Sequence, residues 1–510
     1  MTNPTTSAAS TSESLNPNSD SLDRSALAGV AWSGAAKWST QVFAWAGTML
    51  VARMLSQSDF GLLTSATVFL SVVMMLTEFG IGTAVITLRE LQQESAAELH
   101  TFSVLLGSAG TLATIAMAYP LGLFFRAPQL PPVLMVIGFT FFLSSLQTVP
   151  AALLRRELRF RTIATVDFVR GLIVPVVTVT GALLGLRYWA LVLGSVVAAS
   201  ITSGFMLYYR PVRFARPRLA GLAPVLTFSR HVLVSRLAWV VYQDGDFAVA
   251  GRRLSMTAVG EYGMAWSLAS APIEKVTNVL SEVTPAIFGA AAQSGRPALR
   301  RLFLNLSEVL CLGTFPAALG LSLVSVDLVE VMLGEKWTAA AGPLSLLALY
   351  AGVRSVTSLF GHAFNAVRET RFAMWTSIAL AMLLMTGFIV GSHWGTVGIA
   401  AAWLIIHPGF SAFSFTRIRS TLDVSAGDYL RALRLGLDGS AAMGVAVLTF
   451  QYFVAESWPA GLRLPVSIVL GAGVFIGTTL LAHGTRIREI IAWVRRIRSG
   501  GSANQLSESV

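Results

Sequence analysis

The sequence predicts an all-α membrane protein of about 14 transmembrane helices: two six-helix lobes in a parallel repeat, plus two extra C-terminal helices. Three observations carry this expectation. Of the 510 residues, 54% are hydrophobic and only 12% are charged, about half the charge of a soluble globular chain. Apolar runs of spanning length recur from residue 27 to residue 483 with short breaks. Lys and Arg collect in alternate breaks. The net charge of +11 would point to nucleic acid in a soluble chain. Here the cations lie in short loops between apolar runs, so anionic membrane lipids are expected as partners, and no nucleic acid.

Residues 1–25 are rich in Ser, Thr, Asn and Pro and read as a disordered cytoplasmic tail. They are no secretory signal, because no basic segment precedes a short apolar core. The N-terminal lobe, 26–209, holds apolar runs at 27–52, 60–87, 99–121, 130–153, 162–184 and 187–209. A basic cytoplasmic linker, 210–226, leads to the C-terminal lobe, 227–420. Its runs are 227–250, 258–290, 299–324, 339–365, 372–392 and 395–416. Residues 421–484 supply helices 13 and 14, at 429–454 and 463–483. Each run can cross about 30 Å of hydrocarbon. In 485–510, Ile487, Ile490, Ile491, Val494 and Ile497 recur at helical spacing, with Arg488, Arg495, Arg496 and Arg498 mostly off that stripe. That pattern predicts a basic amphipathic helix on the membrane surface, followed by a disordered tail.

With the N-terminus in the cytoplasm, about 25 of the 37 Lys and Arg residues fall on the cytoplasmic side and about 7 on the other. The cytoplasmic group includes Arg155, Arg156, Arg159 and Arg161; the opposite group is Arg53, Arg126, Arg187, Arg252, Arg253, Lys336 and Arg463. Both termini are therefore expected in the cytoplasm, and the 327–337 loop outside. Lys37, Arg170, Arg236, Lys275 and Arg354 remain within spans.

An internal repeat fits this arrangement. VARMLSQSDFGLLTSA (51–66) and AGRRLSMTAVGEYGMA (250–265) align without gaps. Arg53 meets Arg252, Leu55 meets Leu254, Ser56 meets Ser255, Gly61 meets Gly260 and Ala66 meets Ala265. The same offset sets Lys37 against Arg236. Parallel repeats of this kind are a transporter feature, and a substrate site is expected between the halves. No P-loop and no H-E-x-x-H occurs, and no cofactor is expected. The single cysteine, Cys311, sits in an apolar run, so neither an intrachain disulfide nor a thiolate zinc cluster can form. The outer loops are too short for the acceptor cleft of a membrane polysaccharide polymerase or ligase, and the chain reads as a transporter, not an enzyme.

The stretch 244–293 carries Asp246, Gly251, Arg252, Leu254, Ser255, Gly260, Tyr262, Ala265, Ser267, Leu268, Pro272, Lys275, Val283, Pro285 and Ala286. In this order they resemble the polysaccharide transporter (Wzx-type oligosaccharide flippase) family of the multidrug/oligosaccharidyl-lipid/polysaccharide exporter superfamily. The stretch 50–86, with Arg53, Leu55, Asp59, Phe60, Gly61, Phe79, Gly80 and Gly82, resembles the first hairpin of that family. Gln57 stands where proline is usual, and Glu78-Phe79 where Asp-x is common. The resemblance implies a two-lobed exporter fold in the bacterial inner membrane. It implies flipping of an undecaprenyl-diphosphate-linked oligosaccharide for exopolysaccharide, capsule or O-antigen (lipopolysaccharide) biosynthesis, beside polysaccharide polymerase and export machinery. A multidrug/cation antiporter of the same superfamily is the alternative, but would be expected to show an acid-rich cavity and few deep cations.

An ionisable side chain at mid-bilayer costs roughly 2.5–3.5 kcal/mol and needs a partner, a wet cavity or a function. Lys37 and Arg236, at repeat-related positions, are candidate ligands for the diphosphate; the alternative is structural pairing with an acid such as Asp244. Arg354 and Lys275 are further candidates for the same cavity. Asp246 and Glu78 are candidates for ion coupling, although Asp246 could equally cap or pair with Arg252 or Arg253. His362 and His407 read as bundle histidines rather than proton relays.

Overall fold

The computed structural model describes residues 41, 43–78, 81–87, 92–217, 242–281, 284–454 and 457–498. Every regular element among them is helical. The first half comprises α1 (residues 43–54), α2 (Gln57–Glu78), α3 (Ile81–Thr87), α4 (Gln93–Phe124), α5 (Leu130–Arg156), α6 (Phe160–Leu183) and α7 (Tyr188–Tyr209). The second half opens with α8 (residues 242–253), α9 (Met256–Ser281), α10 (Thr284–Gln293), α11 (Arg296–Leu323) and α12 (Ser325–Leu333). A 3-10 turn, Glu335–Ala340, leads into α13 (Ala341–Ala366), α14 (Thr370–Gly391) and α15 (Gly395–Leu422). Two further helices follow, α16 (Ala426–Phe453) and α17 (Ala460–Arg498). Among the described residues, 10 helical stretches are long and apolar enough to cross a membrane; one of them, Thr370–Leu422, contains both α14 and α15.

Within the described residues the expected runs reappear as helices, with two differences; most of the runs 27–52 and 227–250, and positions 79–80 and 282–283, lie outside the described residues. The 327–337 loop is built, as α12 and the 3-10 turn, because Val329, Leu333 and Trp337 all bury into the core. The last span and the basic tail form one helical run whose only non-helical residue is His483 (φ −134°, ψ 25°), at the expected end of the span. The tail is also docked: Arg486 donates to Glu308 of α11 from Nη2 at 2.8 Å and to Asn305 Oδ1 at 3.1 Å.

Each half packs within itself. In the first, α4 lies on α5, α5 on α7 and α6 on α7. In the second, α13 lies on α11 and α15, and α14 on α15. α16 packs on α11 and α17 on α16, which attaches the two extra helices to the second half. Between the halves, α2 crosses α9. At its edge Ala52 and Trp45 of α1 pack into the core of the second half.

That crossing depends on two glycines. A methyl group placed on Gly61 would overlap the carbonyl oxygen of Met256, and one on Gly260 would overlap that of Gln57. Both the glycines and the carbonyls are related by the offset of the internal repeat. The crossing is thus a local two-fold contact, and only residues without a side chain let the backbones approach so closely.

Candidate functional site

The two halves are clasped at the end of the bundle where α1 turns into α2. The turn itself is fixed locally. Ser56 precedes the first residue of α2; its hydroxyl donates to Asp59 Oδ2 at 2.6 Å and its backbone N–H to the same oxygen at 3.0 Å. The Asp59 N–H returns a contact to Ser56 Oγ at 3.3 Å, a reciprocal cap of the helix start. In the second half, Ser255 Oγ accepts from the Ala258 N–H at 3.2 Å and caps α9 in the same way.

Onto the first turn the second half lays residues 331–337. Arg53 Nε donates to the Met332 carbonyl at 3.1 Å, and Nη2 reaches the Val331 carbonyl. Lys336 Nζ returns to the carbonyls of Arg53 at 2.9 Å and Leu55 at 2.6 Å. The Trp337 indole, 0% exposed, donates to the Ala52 carbonyl at 2.9 Å and meets Phe60 edge-on at 5.4 Å. Partial burial pushes the Lys336 ammonium below its ordinary pKa, and the nearby Asp59 carboxylate opposes that shift. These bonds satisfy the carbonyls that end α1, which would otherwise have no partner within the helix. On the repeat-related side, Arg252 lies over the Phe124 ring at 5.6 Å.

Of the expected site residues, Lys37 and Arg236 lie outside the described residues. Glu78 is the last residue of α2. Lys275, on α9, joins the halves: its Nζ donates to Gln41 Oε1 at 2.9 Å, four positions after Lys37 in the sequence. Arg354, on α13, has Tyr350, Tyr242, Glu274 and Asp246 within electrostatic reach. His407 lies edge-on to Tyr350 at 5.2 Å, and its buried Nδ1 has no hydrogen-bond partner among the described residues. The structure therefore brings Arg354 and Asp246 into one neighbourhood, while Lys275 stands apart at the interface.

Asp246 is 0% exposed and bound by donors on three sides. Oδ2 accepts from the Tyr262 hydroxyl at 2.6 Å and from Trp403 Nε1 at 3.0 Å; Oδ1 accepts from the Phe247 N–H at 2.8 Å. It ties α8 to α9 and α15 through these contacts and not through Arg252 or Arg253. Around it Tyr350, Trp403, Phe388 and Trp266 form a continuous aromatic cluster.

Sequence reasoning missed the clasp. Arg53 and Lys336 were visible only as cations on the outer side, because nothing in the sequence pairs positions 279–285 residues apart. The repeat was the available signal: the only strongly matched segment, 51–66 with 250–265, is the segment that builds the crossing.

Residues 50–342, more than half of the chain, match the family described as polysaccharide biosynthesis protein. The chain is 26% identical over 430 residues to the lipopolysaccharide biosynthesis protein WzxC of Escherichia coli (strain K12), covering 81% of this chain and 85% of that protein. It is 23% identical over 478 residues to the succinoglycan biosynthesis transport protein ExoT of Rhizobium meliloti (strain 1021), covering 91% and 95%. Its fold is similar to that of the lipid II flippase MurJ in an inward closed conformation, with a TM-score of 0.71 at 12% identity, covering 89% of this chain and 99% of that one. By the extent of the family match, the chain is a multi-pass membrane member of the polysaccharide biosynthesis protein family.

Proposed function

We propose that this protein flips an undecaprenyl-diphosphate-linked oligosaccharide from the inner to the outer leaflet of the bacterial inner membrane, supplying exopolysaccharide, capsule or O-antigen assembly. The observation that carries this reading is the closure between two repeat-related halves at the α1–α2 end: α2 on α9, sealed by residues 331–337 on the α1–α2 turn. The names of the relatives, biosynthesis and transport proteins for surface polysaccharides, support the substrate class. With both termini in the cytoplasm, the clasp faces the periplasm, away from the side where the lipid-linked glycan is made. On this reading Lys37, Arg236, Lys275 and Arg354 are the cations that receive the diphosphate. Phosphate oxygens suit these cations, since charge-assisted hydrogen bonds strengthen where water is excluded. A bound diphosphate offsets the repulsion among these cations, so cargo entry stabilises the state that gathers them.

The test is complementation of glycan export, with protein levels checked by blot. Lys37→Glu or Arg236→Glu abolishes export while the protein still inserts, and Lys37→Arg retains activity. Near-normal export by the Lys37→Ala, Arg236→Ala double variant overturns the cationic-site assignment.

A further inference from the structure

We propose that a chamber inside the first half, between α1, α6 and α7, holds the phosphate-proximal isoprenoid units of the lipid carrier, with Arg170 at its rim facing the phosphate. This inference rests on the transport reading above and names a second site for the same cargo. The chamber has a volume of about 410 Å³, within the range of small-ligand sites. Ala44 and Gly47 of α1, Val174 and Pro175 of α6, and Gly194 and Ala198 of α7 form its wall. Three hydroxyls line it as well, but each donates to its own helix: Thr48 to Ala44, Thr178 to Val174 and Ser195 to Leu191, at 3.0, 2.8 and 3.1 Å. With those protons engaged, the wall suits a hydrocarbon occupant.

The repeat-related region of the second half carries larger side chains. The offset that aligns the halves sets Gly47 against Asp246 and Thr48 against Phe247. In the second half the corresponding region between α8, α14 and α15 is filled. Phe388 and Trp403 meet there at 5.0 Å, Phe247 and Asp246 are buried, and a methyl group on Gly245 would come 2.8 Å from Met385 Cε. In the first half the helices touch as closely, a methyl group on Gly47 meeting Pro175 Cβ at 2.7 Å and one on Gly194 overlapping Thr178 Oγ1, and the chamber lies beside these contacts.

Arg170 identifies which chain. It lies about 15 Å along α6 from Phe160, near the middle of a hydrocarbon core of about 30 Å. Its Nη2 is 3.3 Å from Asp167 Oδ1, and the two side chains are 46% and 54% exposed. One carboxylate oxygen engages one of the five N–H donors of a guanidinium, and the others remain for an anion. A half-exposed charge at this depth is tolerated beside a hydrated space or an ionic ligand, not against lipid tails. An apolar chamber with an arginine at its rim matches an anionic head joined directly to a hydrocarbon, which is the chemistry of a polyprenyl phosphate.

The experiment uses the full chain in proteoliposomes of phosphatidylethanolamine and phosphatidylglycerol. The probe is a polyprenyl phosphate carrying a diazirine on its phosphate-proximal isoprene, and crosslinks are mapped by mass spectrometry. Label is expected within 44–51, 170–178 or 191–198. It should fall about tenfold in Arg170→Gln, as loss of one charge-assisted contact predicts. It should also fall in Ala198→Phe, which fills the chamber, while Ala198→Ser keeps it. Unlabelled polyprenyl phosphate should compete, and excess phosphatidylglycerol should not. Undiminished label in a monodisperse Ala198→Phe protein, equal competition by phosphatidylglycerol, or label confined to other helices overturns the inference. The two readings fail separately. Wild-type protein that labels as expected but does not support glycan export refutes the transport reading alone. Normal export with undiminished label in Ala198→Phe refutes the chamber alone.

Discussion

At the scale of single residues, the carboxylate of Asp246 poses a choice between packing and coupling. Its two oxygens take donors from Tyr262, Trp403 and the Phe247 backbone, so removing it leaves a buried hydroxyl and a buried indole N–H with no acceptor. Each orphaned donor costs about 1–3 kcal/mol, which makes Asp246→Ala a strongly destabilising change. Asp246→Asn keeps an acceptor but turns one oxygen into a donor that faces other donors, and it too is destabilising, by less. The expected outcome is that both variants lower the thermal midpoint in detergent, Ala more than Asn, with export falling in proportion to folded protein. An Asp246→Asn protein of wild-type midpoint that has lost export would instead identify the carboxylate as an ion-coupling group. The sequence marked Asp246 as a buried acid in a matched segment. Its partners were not legible, because Tyr262 and Trp403 lie 16 and 157 positions away and no spacing rule joins them.

At the scale of elements, the crossing of α2 with α9 explains why the matched segments hold the residues they do. Ser56 and Asp59 start α2 at a defined residue, Ser255 starts α9, and each start places a glycine where the partner backbone arrives. A β-branched residue at either glycine forces the helices apart. Overpacking of this kind typically costs about 1–3 kcal/mol, and here it falls entirely on the closed state. Gly61→Val and Gly260→Val are therefore expected to open the closure. The measure is the reactivity of Thr64→Cys, a position that packs against Gly263, toward a membrane-impermeant maleimide in intact cells. Reactivity rises in both valine variants and export falls. Gly473→Val is the control, since nothing lies within 4 Å of an added methyl there, and it leaves both unchanged. Unaltered Thr64→Cys reactivity in folded Gly61→Val would mean that the crossing is no gate. The helical class and the extent of the described spans were legible in the sequence, since apolar run length and loop charge follow from the bilayer itself. The folding of residues 327–337 onto the core was not, because hydropathy does not show which loop buries its side chains.

At the scale of the whole molecule, the sense of the proposed transport depends on which side of the membrane the clasp faces. Loop charge puts the 3-10 turn Glu335–Ala340 outside and the end of α15, with Arg417 and Arg419, inside. On the proposed topology the clasp is the periplasmic end of the bundle. The chain suits a direct test, because its single native thiol, Cys311, is fully buried and donates to the Leu433 carbonyl, so it does not compete for reagent. Thr338 and Ser420 are exposed at opposite ends of the bundle and take part only in local hydroxyl-to-carbonyl contacts, so cysteine is tolerated at both. In intact cells Thr338→Cys is expected to react with an impermeant maleimide, and Ser420→Cys to react only after permeabilisation. The inverse pattern would reverse the orientation and leave the clasp on the cytoplasmic side. Cargo would then enter from the wrong leaflet for a lipid-linked glycan built in the cytoplasm. Reaction at both positions without permeabilisation would mean that the two loops share a face, which an odd number of spans between them does not permit and an even number requires. The same pair of variants thus tests the orientation and the alternation of spans between residues 338 and 420, on which the reading of the clasp as a periplasmic gate depends.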